Sequence, residues 1–231
     1  MDDHYSRQAR EAGYPARSVY KLEEIDRKHR LFRPGRRVLD LGCAPGSWSL
    51  YAAQKVGGEG LVLGLDLKPV QLKNGEPRLF FLAADLLTAS PELAEPWGPF
   101  DLVLSDLAPA TSGRKEVDQA RSLALVQAAW VWAEALLKPG GHFLYKIFQS
   151  PEGEDFCRDL KERFNKVELL KPKATRSQSR EIFGLGLGFK SGPGHGDQTS
   201  GCGQSIPHRR VARRLRGLGP TAPAARGKNP H

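Results

Sequence analysis

Short apolar runs recur along the chain, and each of the first four contains or closely precedes an acidic residue. These runs span residues 37–41, 61–66, 79–83 and 101–105, and a fifth spans residues 142–147. Near-continuous apolar runs of this length, separated by helical patterns, are typical of the strands of a parallel sheet that is covered on both faces. The pattern therefore predicts an α/β protein.

Helical periodicity appears before and between these runs. In residues 18–29 the apolar side chains of Val19, Leu22 and Ile25 recur at helical spacing, so one amphipathic helix is expected in this otherwise polar region. Further helices are predicted over residues 47–56, 122–137 and 154–164, and a turn is predicted over residues 138–141.

Two more strands are predicted near the end of the patterned region, over residues 167–170 and 182–189. The segment between them, residues 171–180, is too short for a crossover helix, so the two strands are expected to pair antiparallel. The predicted fold is an α/β, doubly wound, mostly parallel sheet with an antiparallel edge strand and helices on both faces.

The pattern ends after Lys190. Thirteen of the last 41 residues are Gly or Pro, and such a segment buries too little surface to offset its chain entropy. We therefore predict a basic amino-terminal segment over residues 1–36, one folded domain over residues 37–190, and a disordered basic tail over residues 191–231. The tail either adds non-specific affinity for phosphates or is a neutral appendage.

Charge and composition narrow the functional classes. The net charge is +9, of which residues 191–231 contribute +6, and a basic protein favours polyanions such as nucleic acid or anionic membrane. No apolar stretch approaches the ~18 residues of a membrane span, and the polar amino terminus is unlike a signal peptide. The three cysteines, Cys43, Cys157 and Cys202, form no C-x-x-C pair, so we expect no disulfide framework, no metal site and a cytoplasmic location.

The predicted strand ends carry a candidate cofactor site, because open α/β sheets bind ligands at the carboxyl ends of their strands. Asp40, Asp66 and Asp85 lie there, beside a turn that runs from Gly42 to Gly46. The turn lacks the spacing of dinucleotide sites, G-x-G-x-x-G, and of phosphate loops, G-x-x-x-x-G-K-[ST]. An acid-lined pocket suits S-adenosylmethionine, which carries a positive sulfonium and no phosphate.

Five segments, in unbroken order over residues 4–190, resemble the motifs of the FtsJ-like ribosomal RNA 2′-O-methyltransferases. They read SVYKLEEID from Ser18, DLGCAPGSW from Asp40, SDLAP from Ser105, GGHFLYKIFQ from Gly140 and RSQSRE from Arg176. The loop at residues 110–113, Ala-Thr-Ser-Gly, differs from the Asn-Met-Ser-Gly common in bacterial members. The resemblance implies a Rossmann-like methyltransferase fold and transfer of a methyl group to a ribose 2′-hydroxyl.

The resemblance also implies the site residues. Its catalytic tetrad of Lys, Asp, Lys and Glu falls on Lys21, Asp106, Lys146 and Glu181. With Gly42 from the glycine turn, the implied contacts to S-adenosylmethionine are Gly42, Gly46, Trp48, Asp66, Asp85 and Asp106. As a lone aromatic residue at a helix start, Trp48 has a second interpretation, in which it braces the loop from the core.

Lys146 lies inside the apolar run of residues 142–147, where an unpaired ammonium would be costly. Partners such as Asp106 and Glu181 are therefore expected. A ribose hydroxyl needs its proton withdrawn as it attacks a methyl group, and we assign Lys146 to accept or steer that proton. A second ammonium lowers the pKa of a lysine and carboxylates raise it, so the net effect stays open, as does a purely structural ion pair.

Basic residues on both sides of the domain suggest an RNA surface. If Lys21 and Glu181 share a site, the basic segments around them converge there and bracket an RNA backbone. The candidate substrate contacts are Arg7, Arg17, Lys173, Arg176 and Arg180. We expect a monomer that methylates a uridine of large-subunit ribosomal RNA and does not act on DNA; the alternatives are a transfer-RNA 2′-O-methyltransferase, a methyltransferase for bases or small molecules, and a non-catalytic RNA-binding relative.

Overall fold

Seven strands and five α-helices make up the computed structural model, which describes residues 4–70, 72, 76–176 and 178–190. The strands are β1 Arg37–Leu41, β2 Leu61–Asp66, β3 Leu79–Ala83, β4 Phe100–Ser105, β5 Leu137–Phe148, β6 Phe164–Leu170 and β7 Glu181–Phe189. The helices are α1 His4–Glu11, α2 Val19–His29, α3 Ser47–Val56, α4 Lys115–Leu136 and α5 Pro151–Asp159, with 3-10 helices at Pro91–Trp97 and Leu160–Glu162.

The strands form one sheet in the order β3-β2-β1-β4-β5-β7-β6. The first five in this order are parallel, whereas β7 pairs antiparallel with both β5 and β6. The predicted doubly wound, mostly parallel sheet with an antiparallel pair at its edge is confirmed. The edge strand is β6, and β7 lies between β5 and β6 and runs antiparallel to both.

Helices cover both faces of the sheet. On one face, α4 and α5 bury Trp132 and Cys157 against Phe143 and Tyr145 of β5. On the other face, α2 and α3 pack against Leu144 of β5 and Phe183 of β7. Successive residues of a strand point to opposite faces, so each central strand contributes to both clusters and reads as a continuous apolar run.

Two predicted boundaries around α4 were wrong. The helix begins at Lys115, whereas the predicted start was residue 122. The prediction missed the first two turns because they are largely polar and show no apolar periodicity. The predicted turn at residues 138–141 belongs to β5, which pairs with β4 from Leu137 onward. Gly140 takes a φ of +79° there and the register shifts between Phe100 and Leu102, so a glycine-containing irregularity replaces the turn.

The segment around α5 also differs from its predicted bounds. Ser150 accepts a hydrogen bond from the Gly153 N–H at 3.0 Å, which starts α5 at Pro151. The helix ends at Asp159, and β6 begins at Phe164, three residues before the predicted strand. Helix α1 was not predicted, since its sequence is almost wholly polar.

Helix α2 shares the core of the sheet domain. Val19, Leu22 and Ile25 of α2 are almost completely buried and pack in one cluster with Trp48 and Phe183. Over the described part of the chain, no helix is long and apolar enough to cross a membrane. The predicted disordered tail at residues 191–231 lies outside the described residues.

Candidate active site

The glycine turn after β1 lies between the ends of two neighbouring strands. The N–H groups of Gly42 and Cys43 donate to the Leu65 carbonyl of β2, at 2.8 Å and 3.2 Å. Gly42 and Gly46 have φ values of +76° and +107°, which side-chain-bearing residues rarely adopt. A Cβ atom at Gly42 would come within 2.4 Å of the Leu107 side chain, so the loop after Asp106 packs directly on this turn.

Asp40 is the most deeply buried acid of the site. Its Oδ2 accepts a hydrogen bond from the Ser49 hydroxyl at 2.5 Å, and its Oδ1 has no hydrogen-bond partner. Burial raises the pKa of Asp40 to about 7; the Ser49 bond opposes this rise, and the charges of Asp106 and Asp66 add to it. The three acids lie at the carboxyl ends of the neighbouring parallel strands β2, β1 and β4.

Asp66 and Asp85 are both held by backbone N–H groups. Asp66 accepts from the N–H of Ala44 in the glycine turn at 3.0 Å and from the N–H of Lys68 at 2.8 Å. Asp85 accepts from the N–H of Leu87 at 3.0 Å, which makes it the first residue of a turn. Asp66 thus joins the glycine turn to the end of β2, and Asp85 lies beyond the end of β3.

Lys146 and Asp106 form a nearly buried ion pair. The Lys146 Nζ lies 2.7 Å from the Asp106 Oδ1 and also donates to the Asp106 carbonyl at 2.6 Å. The Lys146 side chain is only 6% exposed and that of Asp106 is 18% exposed. The predicted pairing of Lys146 with Asp106 is confirmed, and the Asp106 carboxylate compensates the lysine charge. Glu181, the other expected partner, pairs with Lys21 instead.

Lys21 and Glu181 form a second ion pair and hydrogen bond, each side chain 13% exposed. Lys21 comes from α2 and Glu181 from the first position of β7. The Lys21 Nζ also lies 5.8 Å from the centre of the Phe183 ring. Residues 160 positions apart are thereby joined at the surface of the sheet.

The strand register places both ion pairs on one face. Lys146 lies opposite Phe183, and Phe148 lies opposite Glu181. Since alternate residues of a strand point to the same face, Lys146, Phe183 and Glu181 share a face, and Lys146 and Glu181 are diagonal neighbours. Lys21, Lys146 and Glu181 thus lie next to Phe183, and Asp106 joins this group through its ion pair with Lys146.

Trp48 lies in the core rather than at the surface of the pocket. Only 2% of the residue is exposed, and its indole N–H donates to the Ser18 carbonyl at 3.0 Å. Its ring lies 5.9 Å from that of Phe183, centre to centre. The geometry favours the interpretation in which Trp48 braces the glycine turn against α2, and its contact with a cofactor stays a prediction.

The two basic segments meet beside Glu181. The Arg17 guanidinium donates to the Ala174 carbonyl at 3.4 Å, and the Lys173 N–H donates to Glu24 of α2 at 2.8 Å. Burial lowers the pKa of Arg17, the Arg176 charge lowers it further, and the Glu181 charge opposes both. The segment at residues 171–176 therefore lies against the amino-terminal helices.

Arg7 and Arg180 have different surroundings. Arg7 forms an exposed ion pair with Glu11 of α1 at 3.9 Å, and nothing in this geometry joins it to the catalytic pairs. Arg180 is exposed next to Glu181, and its carbonyl accepts the Gln149 N–H at 3.0 Å. Both remain predictions as RNA contacts.

Sequence reasoning missed one residue that organises the site. Asp118 of α4 is buried and binds Ser112 and Gly113 in the loop after Asp106. The signal was present, because acidic residues are common in the first turn of a helix. It was overlooked since the predicted helix began four residues later, at residue 122. Among the described residues, no three His, Cys, Asp or Glu side chains are grouped to hold a metal ion.

The fold and the acid-lined strand ends define the class as Rossmann-like methyltransferases. A solved ribosomal RNA methyltransferase from Plasmodium falciparum superposes with a TM-score of 0.68 and 26% identity, over 76% of this chain and 98% of that one. The model of FtsJ-like methyltransferases matches residues 14–189. The chain belongs to this family of enzymes.

Curated relatives agree with this assignment. A protein of Sorangium cellulosum named ribosomal RNA large subunit methyltransferase E is 51% identical over 192 residues, which cover 82% of this chain and 89% of that protein. A protein of the same name from Desulfatibacillum aliphaticivorans is 48% identical over 191 residues, which cover 82% of this chain and 92% of that protein. The similarity thus spans nearly the whole length of these relatives.

Proposed function

We propose that the protein transfers a methyl group from S-adenosylmethionine to a ribose 2′-hydroxyl of RNA, most simply a uridine of large-subunit ribosomal RNA. The observation that carries the proposal is the pair of buried Lys–carboxylate contacts on one face of the sheet, Lys146 with Asp106 and Lys21 with Glu181. The names of the curated relatives support ribosomal RNA as the substrate.

The donor set fits a cationic methyl donor. Asp40, Asp66 and Asp106 are close enough for the latter two to raise the pKa of the first, and Asp40 keeps one buried oxygen without a partner. The carboxylates of Asp66 and Asp106, at the ends of β2 and β4, favour a positively charged sulfonium and disfavour a pyrophosphate. S-adenosylmethionine, when bound, supplies an electrophilic methyl group.

The residues proposed to hold this donor all lie at the carboxyl ends of the parallel strands. Gly42 and Gly46 give the turn its positive φ values, Asp66 ends β2, and Asp85 follows the end of β3. The carboxylate of Asp66 would bind the ribose hydroxyls of the donor. Asp85 would accept a hydrogen bond from its adenine, and Trp48 would brace the turn from the core.

The catalytic residues would act on the 2′-oxygen. The Lys146 ammonium has three N–H groups, of which Asp106 engages two. We assign the third position on the Lys146 nitrogen to the 2′-oxygen, in one of two roles. As an ammonium it donates this N–H and orients the oxygen. As a neutral amine it accepts the 2′-hydroxyl proton while the oxygen–carbon bond forms and the methyl–sulfur bond of the donor breaks. Lys21 and Glu181 would hold the ribose from the other side of Phe183.

RNA would reach this site over the basic segments. Arg17 and Arg176 lie beside Glu181, where their charges can meet the phosphates that flank the target ribose. Lys173 and Arg180 belong to the same loop, and Arg7 would extend the surface along α1. We propose that the protein acts as a monomer, since one chain supplies all four catalytic residues. We further propose that it acts in the cytoplasm.

The proposal is tested by incubating the protein with methyl-labelled donor and three separate substrates: undermethylated large ribosomal subunits, free ribosomal RNA and transfer RNA. Digestion to nucleosides then locates the label. We expect label on a ribose 2′-oxygen of the large-subunit RNA. Label on transfer RNA alone would identify transfer RNA as the substrate in place of ribosomal RNA. Label on a base, or on no RNA, would refute the proposal.

A further inference from the structure

The segment that follows Asp106 is exposed and nevertheless held in place. Residues 110–114 are all exposed, so packing alone gives this part of the loop little order. The segment begins only a few residues after Asp106, whose carboxylate must stay against Lys146. Something outside the loop therefore has to keep it in position.

Asp118 supplies that restraint from α4. Its Oδ1 accepts hydrogen bonds from the N–H of Ser112 at 2.7 Å and from the Ser112 hydroxyl at 2.8 Å, and its Oδ2 accepts from the Gly113 N–H at 3.2 Å. The bond from the Ser112 N–H, more than any other contact, holds the pKa of the Asp118 carboxyl below its usual value. The buried Asp118 carboxylate thus anchors Ser112 and Gly113 of the loop to α4.

The same stretch of α4 also binds the strand that carries Lys146. The Ser122 hydroxyl accepts the Phe148 N–H at 3.0 Å, and Gln119 donates to the Gln149 carbonyl. Asp118 and Ser122 are one helical turn apart and share a face of α4. Arg121 adds a bond to the loop, from its guanidinium to the Ala110 carbonyl at 3.2 Å.

We propose that Asp118 is a positioning residue for methyl transfer: through Ser112 and Gly113 it fixes the loop after Asp106 relative to β5, and so keeps Asp106 in register with Lys146. This inference rests on the proposed function. Asp118 acts through the loop, and no contact with the substrate is assigned to it. Small displacements of reacting groups reduce rates strongly, so loosening this loop would lower turnover without removing any catalytic side chain.

The test compares Asp118→Ala with two graded variants, Asp118→Asn, which keeps acceptor capacity on Oδ1, and Ser112→Ala, which loses one of the three bonds. Glu116→Ala is the matched control, because Glu116 is an exposed acid of the same helical turn. For each variant we would measure kcat and KM for RNA, thermal unfolding, and hydrogen–deuterium exchange of the peptide that spans residues 106–114.

We expect kcat of Asp118→Ala to fall by about tenfold to a hundredfold, with the KM for RNA and the unfolding midpoint near those of wild type. Exchange over residues 106–114 should increase, exchange over residues 123–136 should not, and Asp118→Asn should recover part of kcat. Glu116→Ala should resemble wild type throughout.

Three results would overturn the inference. The first is unchanged exchange of residues 106–114 in Asp118→Ala, which decides the matter even if no RNA is methylated. The second is increased exchange with undiminished kcat in Asp118→Ala. The third is an equal loss of kcat in Glu116→Ala. Should Asp118→Ala fail to fold, Ser112→Ala and Asp118→Asn decide by the same criteria. Failure of the wild-type protein to methylate RNA would refute the proposed function separately.

Discussion

Lys146 illustrates how a single residue can be interpreted from sequence and then located by structure. An ammonium in an apolar run requires buried acceptors, and the acceptors are the carboxylate and the carbonyl of Asp106. Two acceptors from one residue fix both the position and the direction of the amine. Because this restraint is already made in the folded protein, little reorganisation is needed when the 2′-hydroxyl binds.

Replacing Lys146 tests its role directly. For Lys146→Ala we expect kcat to fall by about 10²–10⁴-fold, the usual contribution of a positioned proton-transfer group, with donor binding retained. Single-turnover methylation and calorimetric titration of the donor measure the two effects. Lys161→Ala, at an exposed lysine, is the control. Normal turnover in Lys146→Ala would remove this residue from its assigned role.

Asp40 provides a prediction of pH dependence. Burial raises its pKa from 3.8 to about 7 in the folded protein, so between these values the folded state keeps a proton that the unfolded chain has released. The contribution of Asp40 to stability therefore decreases as the pH rises from about 4 to about 7, and stays at its lower level above that range.

Asp40→Asn removes this titration while keeping a similar shape. Chemical denaturation across the pH range should show the variant gaining stability relative to wild type as the pH rises through this window, by roughly a few kcal/mol. Asp159→Asn, at an exposed acid, should show no such trend. A constant difference between Asp40→Asn and wild type would contradict a buried, protonated Asp40.

At the scale of elements, the insertion of β7 between β5 and β6 brings the two ion pairs together. Glycines of β7 permit a close approach to large side chains of its neighbours. Gly184 lies opposite Tyr145, and a Cβ atom there would come within 2.1 Å of the tyrosine ring. Since Tyr145 is fully buried and bonded to Cys157, its ring has little room to move.

Gly184→Ala is therefore expected to destabilise the protein by about 1–3 kcal/mol through overpacking, as measured by urea denaturation. Gly58→Ala is the control, because a Cβ atom there meets nothing within 4 Å. Tyr145→Leu in the same chain should recover part of the loss by making space. If Gly184→Ala were as stable as wild type, β7 could not lie against β5 in this register.

At the scale of the whole molecule, charge is divided between the domain and the segment after Lys190. Residues 191–231 hold seven Lys or Arg residues and one acid, a net +6 of the total +9. Each neutralised phosphate steepens the salt dependence of RNA binding. A segment of this charge can therefore alter affinity without altering the fold of the sheet domain.

Deleting residues 191–231 is predicted to leave the thermal unfolding midpoint unchanged and to reduce the slope of log affinity for RNA against log salt. A full-length variant with the seven basic residues replaced by glutamine separates charge from length. An equal slope in all three proteins would identify the segment as a neutral appendage. An unfolded truncation product would place the domain boundary beyond Lys190.

Much of the domain followed from local pattern. Apolar runs and glycine turns predicted all seven strands, and the short connection before β7 predicted its antiparallel pairing. The motif match placed Lys21 and Glu181 in one site. The strands and their pairing are local or stepwise along the chain, so periodicity, turn residues and the length of a connection suffice to predict them. The meeting of Lys21 and Glu181 was implied by the family resemblance alone.

Only the tertiary structure decided which distant groups meet. Three features depend on packing between elements: β7 lies between β5 and β6, Trp48 is buried next to Phe183, and Asp118 accepts a hydrogen bond from Ser112. A side chain's contacts depend on which neighbours the sheet supplies, and the same residue types occur in many other surroundings. The sequence by itself thus determined the class of chemistry and the candidate residues. Packing between elements determined which of these residues form ion pairs and which other residues hold the pairs in position.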